Sequence, residues 1–190
     1  MTSIEKQALQ GDRLFTLSPV LSAAECDQLI QQAEGVGFAE APITVGPNKF
    51  RMAPEVRNNL RVMQDSPRDA AWLWKRIEPL VPPAYGDLYA IGLNERFRYY
   101  RYEVGQFFDW HRDGAFVRSS AERSMLTVLF YLNEDFGGGS TDFYDCDGDL
   151  RVTPRRGAAL LFIHHLSHRG APVTRGRKYV LRSDVMYARA

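Results

Sequence analysis

The chain is short of the residues that staple small secreted folds. Among 190 residues there are two cysteines, Cys26 and Cys146. They lie far apart and lack the C-x-x-C spacing of zinc or redox sites, so two free thiols are expected and a disulfide framework is excluded. Charge of one sign is missing as well. Lysine and arginine number 24 against 23 aspartates and glutamates, a formal net charge of +1, which gives no global field of the kind that nonspecific nucleic-acid binders use. No nucleic-acid partner is expected. No apolar run approaches the ~20 residues of a membrane-spanning helix, and the opening Met1-Thr2-Ser3-Ile4-Glu5 has no apolar signal core. No membrane partner is expected, and the cytoplasm is the expected compartment. Histidine is also scarce: with only His111, His164, His165 and His168, a histidine-based metal site has few possible members.

What is present is an ordinary globular composition, 45% hydrophobic and 25% charged, in a chain of the length of one domain. A single domain over residues 1–190 is expected, its first part (about 1–93) helical and its core (about 94–190) built of strands. Ser22-Ala23-Ala24-Glu25 reads as a helix N-cap with a capping-box glutamate. Cys26, Leu29, Ile30 and Ala33 supply one apolar face of that helix, which ends near Gly35 and Gly37. A second helix is predicted from Ser66-Pro67 to about Leu80, with Pro67 suited to the first turn. From residue 94 the pattern turns to short segments rich in aromatic and β-branched residues, separated by glycine and aspartate turns. The predicted strands are 96–103, 106–111, 124–132, 140–144, 158–163 and 178–187. Such a series predicts an α+β sandwich or jelly roll with helices covering one sheet.

The chemistry concentrates around the histidines. His111-Arg112-Asp113 sets an imidazole and a carboxylate at i and i+2, which share a face in an extended segment. His168, at the end of the apolar run 158–163, is well placed to be a third ligand if strand ends converge. Two histidines and one carboxylate leave coordination positions open and suit Fe(II), with zinc as the competing metal. The H-E-x-x-H motif of zinc hydrolases is absent. After His168 comes a turn and then a strand carrying Lys178 and Arg182, which share a face with Val180 while Tyr179 and Leu181 take the other. Either cation could neutralise the far carboxylate of a 2-oxo diacid chelating the metal. The stretch from Arg151 to Arg182 also carries Arg155, Arg156, Arg169, Arg175 and Arg177 and no acidic residue, so it could attract an anion or form a solvated basic face. Asp145-Cys146-Asp147-Gly148-Asp149 reads as a hairpin turn rather than a calcium loop. Arg57-Asn58-Asn59 could reach a substrate or cap a helix.

Taken together, Arg98 to Phe108 leading into His111-Arg112-Asp113, the run Leu126 to Asn133, Thr141-Asp142-Phe143, and the His168 segment closing on Lys178 resemble the prolyl 4-hydroxylase-like branch of the 2-oxoglutarate and Fe(II)-dependent oxygenases. The resemblance is strong over about residues 94–187. It implies a double-stranded β-helix, and iron held by His111, Asp113 and His168. It also implies that Lys178, ten positions after the distal histidine, holds the far carboxylate of 2-oxoglutarate, with Arg182 second. Tyr102 and Tyr131 match tyrosines lining the cosubstrate pocket. The implied activity is hydroxylation of a C–H bond with Fe(II), 2-oxoglutarate and O2, and with ascorbate as an accessory reductant. A peptidyl or protein prolyl residue is the first expectation for substrate. A free amino acid or small metabolite is an alternative, and so is a non-catalytic jelly-roll metal-binding module. Oligomeric state is not legible.

Overall fold

The computed structural model describes residues 3–46, 49–145 and 148–189. Most of it is antiparallel β-structure, with two α-helices and one 3-10 turn among the described residues. Helix α1, Ala23–Val36, begins at the expected capping box: the Ser22 hydroxyl accepts from the Glu25 amide, and Glu25 accepts from the Ser22 amide. Helix α2, Pro67–Ile77, has Ser66 as its cap, and Glu78–Leu80 continues it as a 3-10 turn. Arg76 of α2 pairs with Glu25 of α1 at 2.6 Å and lowers that carboxyl's pKa to about 2. Across to the sheet, α1 bonds Gln64 through Gln32 at 2.7 Å, and Arg101 and Tyr179 through Glu34.

The larger sheet runs, edge to edge along its main path, Glu5–Ala8, Leu14–Ser18, Ala159–Ile163, Glu122–Tyr131, Lys178–Arg189, Arg96–Tyr102, Leu60–Asp65 and Ala39–Glu40. Its centre is apolar on both faces: Ala159–Ile163 is buried at every position, as a strand covered on both sides must be. The smaller sheet is Phe108–His111, Ser167–Gly170, Thr141–Asp145 and Gly148–Val152. The sheets meet where Phe143 of the smaller packs edge-on against Phe162 of the larger, with ring centroids 5.1 Å apart. Two antiparallel sheets face to face fit the jelly-roll expectation.

Two expectations need correction. The first 93 residues are not simply helical, because Glu5–Ala8, Leu14–Ser18 and several short strands lie there. Leu14–Ser18 pairs with Ala159–Phe162, and a five-residue segment whose partner lies some 145 positions away carries no local periodicity to announce it. Nor does His168 end the 159–163 strand; it sits on its own strand, Ser167–Gly170, in the other sheet. The turn expected at Arg156-Gly157 is present. Gly157 has φ +79°, and a Cβ there would meet the Leu21 carbonyl oxygen at 2.2 Å, so both conformation and space demand glycine. Thr141–Asp145 and Gly148–Val152 form the expected hairpin. The joining residues Cys146 and Asp147 lie outside the described residues; Cys26 is free and buried.

Candidate active site

Adjacent strands of the smaller sheet set the two histidines opposite each other, His111 paired with His168. Asp113 follows the first of these strands, fixed by its amide donating to the His164 carbonyl at 3.0 Å. One nitrogen of each imidazole and one carboxylate oxygen all lie within 4.8 Å of one another. His111 Nε2 is 3.7 Å from Asp113 Oδ1, and His168 Nε2 is 3.6 Å from Asp113 Oδ2. With metal–ligand bonds of roughly 2 Å, one ion between these atoms needs only small contraction.

The hydrogen bonds fix which nitrogen is offered. His111 Nδ1 faces the Asp109 carbonyl at 2.7 Å and His168 Nδ1 faces the Leu166 carbonyl at 3.0 Å. A carbonyl can only accept, so each ring carries its proton on Nδ1 and turns the Nε2 lone pair to the common point. Burial drives the imidazoles toward neutrality: His111 falls to about 3, with His168 adding to the effect, and His168 is lowered as well. Burial alone would raise the Asp113 carboxyl, but Arg182 and the two histidines hold it well below the usual carboxylate range. Two neutral imidazoles and one ionised carboxylate are the protonation states that metal ligation requires.

The same cavity is lined by Tyr102, Thr141, Lys178, Val180 and Arg182, which confirms the alternation read along the last strand. Lys178 is 3% exposed, and its ammonium donates to the Gly139 carbonyl at 2.6 Å and sits 5.1 Å from the Tyr102 ring centroid. Among the described residues no carboxylate lies within 4.0 Å of it. Burial lowers its pKa to about 7 against the opposing pull of Asp142. Arg182 is differently engaged, with Asp113 at 3.1 Å and Asp184 at 3.4 Å. Geometry therefore separates the two cations: one is already paired, the other is buried and available. Tyr102 lines the cavity, and Tyr131 reaches it through Thr141, hydroxyl to hydroxyl at 2.8 Å.

The aromatic residues beside the H-x-D motif and the remaining sequence candidates scatter. Phe108 stacks on His111 at 3.6 Å, and Phe116 lines an adjoining cleft. Trp110 is partly exposed against Tyr144. Most of the basic stretch is spent on carboxylates, Arg151 and Arg169 on Asp142, Arg156 on Asp27 and Arg177 on Glu103 and Glu34, so it is not a general anion-attracting face. Asn58 and Asn59 cap no helix; they accept from the Phe107 amide and from Arg57 Nε.

Sequence reasoning missed a relay behind Asp113. Ser124 Oγ accepts from the Phe116 amide and donates to His164 Nε2 at 2.8 Å. His164 Nδ1 donates to Thr127 Oγ1 at 2.9 Å, and that hydroxyl donates to Asp113 Oδ2 at 2.7 Å. Thr127 is fully buried; a hydroxyl within the apolar run Leu126 to Leu132 was its only signal. Thr127→Val keeps the volume but removes the donor. We expect metal affinity to fall about tenfold or more, as for other groups that orient a ligand, measured by Co(II) titration of wild type and variant.

Comparison with known proteins follows this geometry. The sequence profile described as the 2OG-Fe(II) oxygenase superfamily matches residues 97–183, a span holding His111, Asp113, His168 and Lys178. Prolyl 4-hydroxylase 13 of Arabidopsis thaliana is 26% identical over 88% of this chain and 69% of its own length. A viral collagen prolyl hydroxylase from Paramecium bursaria Chlorella virus-1, solved with 2OG, superposes with a TM-score of 0.62 at 20% identity, covering 96% of this chain and 99% of that one. A prolyl hydroxylase from Trichoplax adhaerens, solved with a hypoxia inducible factor peptide fragment, gives a TM-score of 0.71 at 16% identity over 93% and 84% of the two chains.

Proposed function

We propose that the chain is a member of the 2OG-Fe(II) oxygenase superfamily, whose model matches residues 97–183, and that it hydroxylates a prolyl residue in a peptide or protein. It is a 2-oxoglutarate-dependent dioxygenase, with Fe(II) as cofactor and 2-oxoglutarate and O2 as cosubstrates. We read residues 1–190 as one such domain, a jelly roll with two N-terminal helices covering one sheet.

In this reading His111, Asp113 and His168 hold the iron. The observation that carries the assignment is the convergence of those three donors, in ligating protonation states, in the same cavity as a buried lysine without a carboxylate partner. Bound iron supplies the redox centre at which one atom of O2 enters succinate and the other the substrate C–H bond, with CO2 as the third product. This chain's residues do the positioning. Lys178 neutralises the far carboxylate of 2-oxoglutarate, a pairing that a buried ammonium requires. Tyr102 walls the pocket beside that ammonium, and Thr141, held by Tyr131, offers a hydroxyl. Arg182 and Thr127 keep Asp113 ionised and in place. The apolar faces of Phe108, Leu129 and Val180 exclude water.

The prolyl substrate is supported by prolyl hydroxylases among the relatives in sequence and fold. The test is succinate formation by purified protein with Fe(II), ascorbate, O2 and 2-oxoglutarate, with and without proline-containing peptides, followed by mass analysis of the peptides. Succinate with a peptide gain of one oxygen atom on proline is the expected result. Succinate with no prolyl product in any peptide removes the substrate assignment and leaves the oxygenase. Absence of both turnover and 2-oxoglutarate binding in the presence of metal would mean a non-catalytic metal-binding module.

A further inference from the structure

Beside the metal-ligand cluster, and sharing His111, Asp113, Tyr100 and Phe108 with its cavity, opens a second cleft of about 430 Å³. Five arginines line it, Arg57, Arg61, Arg98, Arg112 and Arg182, against two aspartates, Asp113 and Asp184. Both aspartates are already engaged: Arg182 takes Asp113 at 3.1 Å, and Arg98 and Arg182 share Asp184 at 3.4 Å each. Among the described residues, Arg57 and Arg61 have no carboxylate within 4.0 Å.

Arg57 is the unusual one. It is 5% exposed. Its guanidinium carbon lies 4.6 Å from the Tyr100 ring centroid and 4.4 Å from that of Phe108, and Phe108 in turn stacks on His111. Its Nε donates to Asn59 Oδ1 at 2.8 Å, while Nη2 is buried without a partner. The backbone around it is pinned to the H-x-D strand, Asn58 N to the Phe107 carbonyl at 3.3 Å and Asp109 N to the Val56 carbonyl at 2.8 Å. A buried guanidinium without an anion is costly, and ring contacts offset only part of that cost. Arg61, on the neighbouring strand opposite Tyr100, adds a second cation. Burial lowers its pKa, and the charges of Arg57, Arg98 and Arg182 add to this against the opposing influence of Tyr100.

We propose that this cleft is the substrate-specificity site and that it binds a carboxylate of the substrate through Arg57 and Arg61, so that the enzyme selects an acid over its neutral analogue. The proposal rests on the oxygenase reading above, since it is the shared wall with the metal cluster that makes the cleft's occupant the substrate. A carboxylate fits better than a phosphate. Arg57 has its faces covered and its Nε taken, which leaves one edge for a planar, two-oxygen group and no multidentate cradle. The carboxylate can belong to a free acid or to an acidic side chain near the reacting residue of a peptide.

The test uses Zn(II)-loaded protein saturated with 2-oxoglutarate, so that the cosubstrate pocket is filled, with the Arg57 Nε–Hε resonance followed by NMR in 15N-arginine-labelled protein. Two matched pairs serve as probes: N-acetyl-L-proline against N-acetyl-L-prolinamide, and a capped Pro-Ala-Asp tripeptide against Pro-Ala-Asn. We expect the acid of at least one pair to shift the resonance with at least tenfold higher affinity than its neutral twin. Preference within the first pair identifies a free acid, and within the second an acidic peptide. Arg61→Gln, a half-buried position, should cut the preference at least fivefold; Arg57→Gln, followed by calorimetry, should abolish it. Equal affinity within both pairs, absence of binding by all four probes, persistence of the preference in Arg61→Gln, or a shift with inorganic phosphate but with neither acid would each overturn the proposal. Succinate formation by wild type, measured alongside, reports on the oxygenase reading separately. Acid preference without succinate removes that reading and leaves the anion site standing.

Discussion

Replacing Lys178 with alanine is expected to raise the 2-oxoglutarate concentration for half-maximal succinate formation by about thirtyfold or more, with a much smaller change in the maximal rate. Truncating one partner of a buried charge pair costs about 2–5 kcal/mol, and an interaction made equally in the ground and transition states appears in KM rather than in kcat. Arg182 cannot substitute, because Asp113 and Asp184 already hold it. Initial-rate kinetics over a wide 2-oxoglutarate range decide the matter. An unchanged KM would put the far carboxylate elsewhere.

The same lysine predicts a pH dependence. Burial brings its pKa in the free protein down to about 7. Below that pH the ammonium is ready for the dianion. Above it, binding must be accompanied by uptake of a proton, so KM for 2-oxoglutarate should rise with pH, approaching tenfold per unit. Stability moves the other way. Between about 7 and the ordinary lysine value near 10.5, the unfolded chain holds a proton that folded Lys178 has lost, so this group makes unfolding less favourable as pH rises through that window. A KM flat from pH 6 to 9 would contradict a buried ammonium as the binding group.

His168→Ala is expected to reduce succinate formation to background. In the proposed site it removes one of three metal donors, and His164 cannot stand in for it because that ring is bonded through both nitrogens. Because His168 also packs on Phe162 and Phe143, some loss of stability is expected, and activity alone would be ambiguous. The discriminating measurement is thermal unfolding with and without Co(II). Metal at one hundred times its dissociation constant stabilises a folded protein by about 2.7 kcal/mol, so wild type should melt higher with metal while His168→Ala should not shift. A variant that still gains stability from Co(II) would remove His168 from the ligand set.

Some of this was legible residue by residue. Ser22 with Glu25 and Ser66 with Pro67 announced both helix starts, because capping is satisfied within three or four positions. The alternation of Lys178, Val180 and Arg182 announced a shared face, because a strand repeats every two residues. The convergence of the H-x-D pair with His168 rested on a metal's need for few, specific donor types, scarce in this chain. The Leu14–Ser18 strand, the strand of His168, the Thr127–His164 relay and the Arg57 stack were hidden. Each is defined by partners more than a dozen positions away, and a buried hydroxyl or guanidinium carries no local sign of the group it meets.

By itself, then, the sequence determined the helices, the ligand types and the two cations competing for one role, since short-range geometry and side-chain chemistry suffice for these. Only the tertiary structure told the cations apart, by pairing Arg182 with Asp113 and leaving Lys178 buried with no carboxylate within 4.0 Å among the described residues, which is why we give the role to Lys178. Charge pairing between distant strands depends on sheet register, and register is a property of the assembled fold.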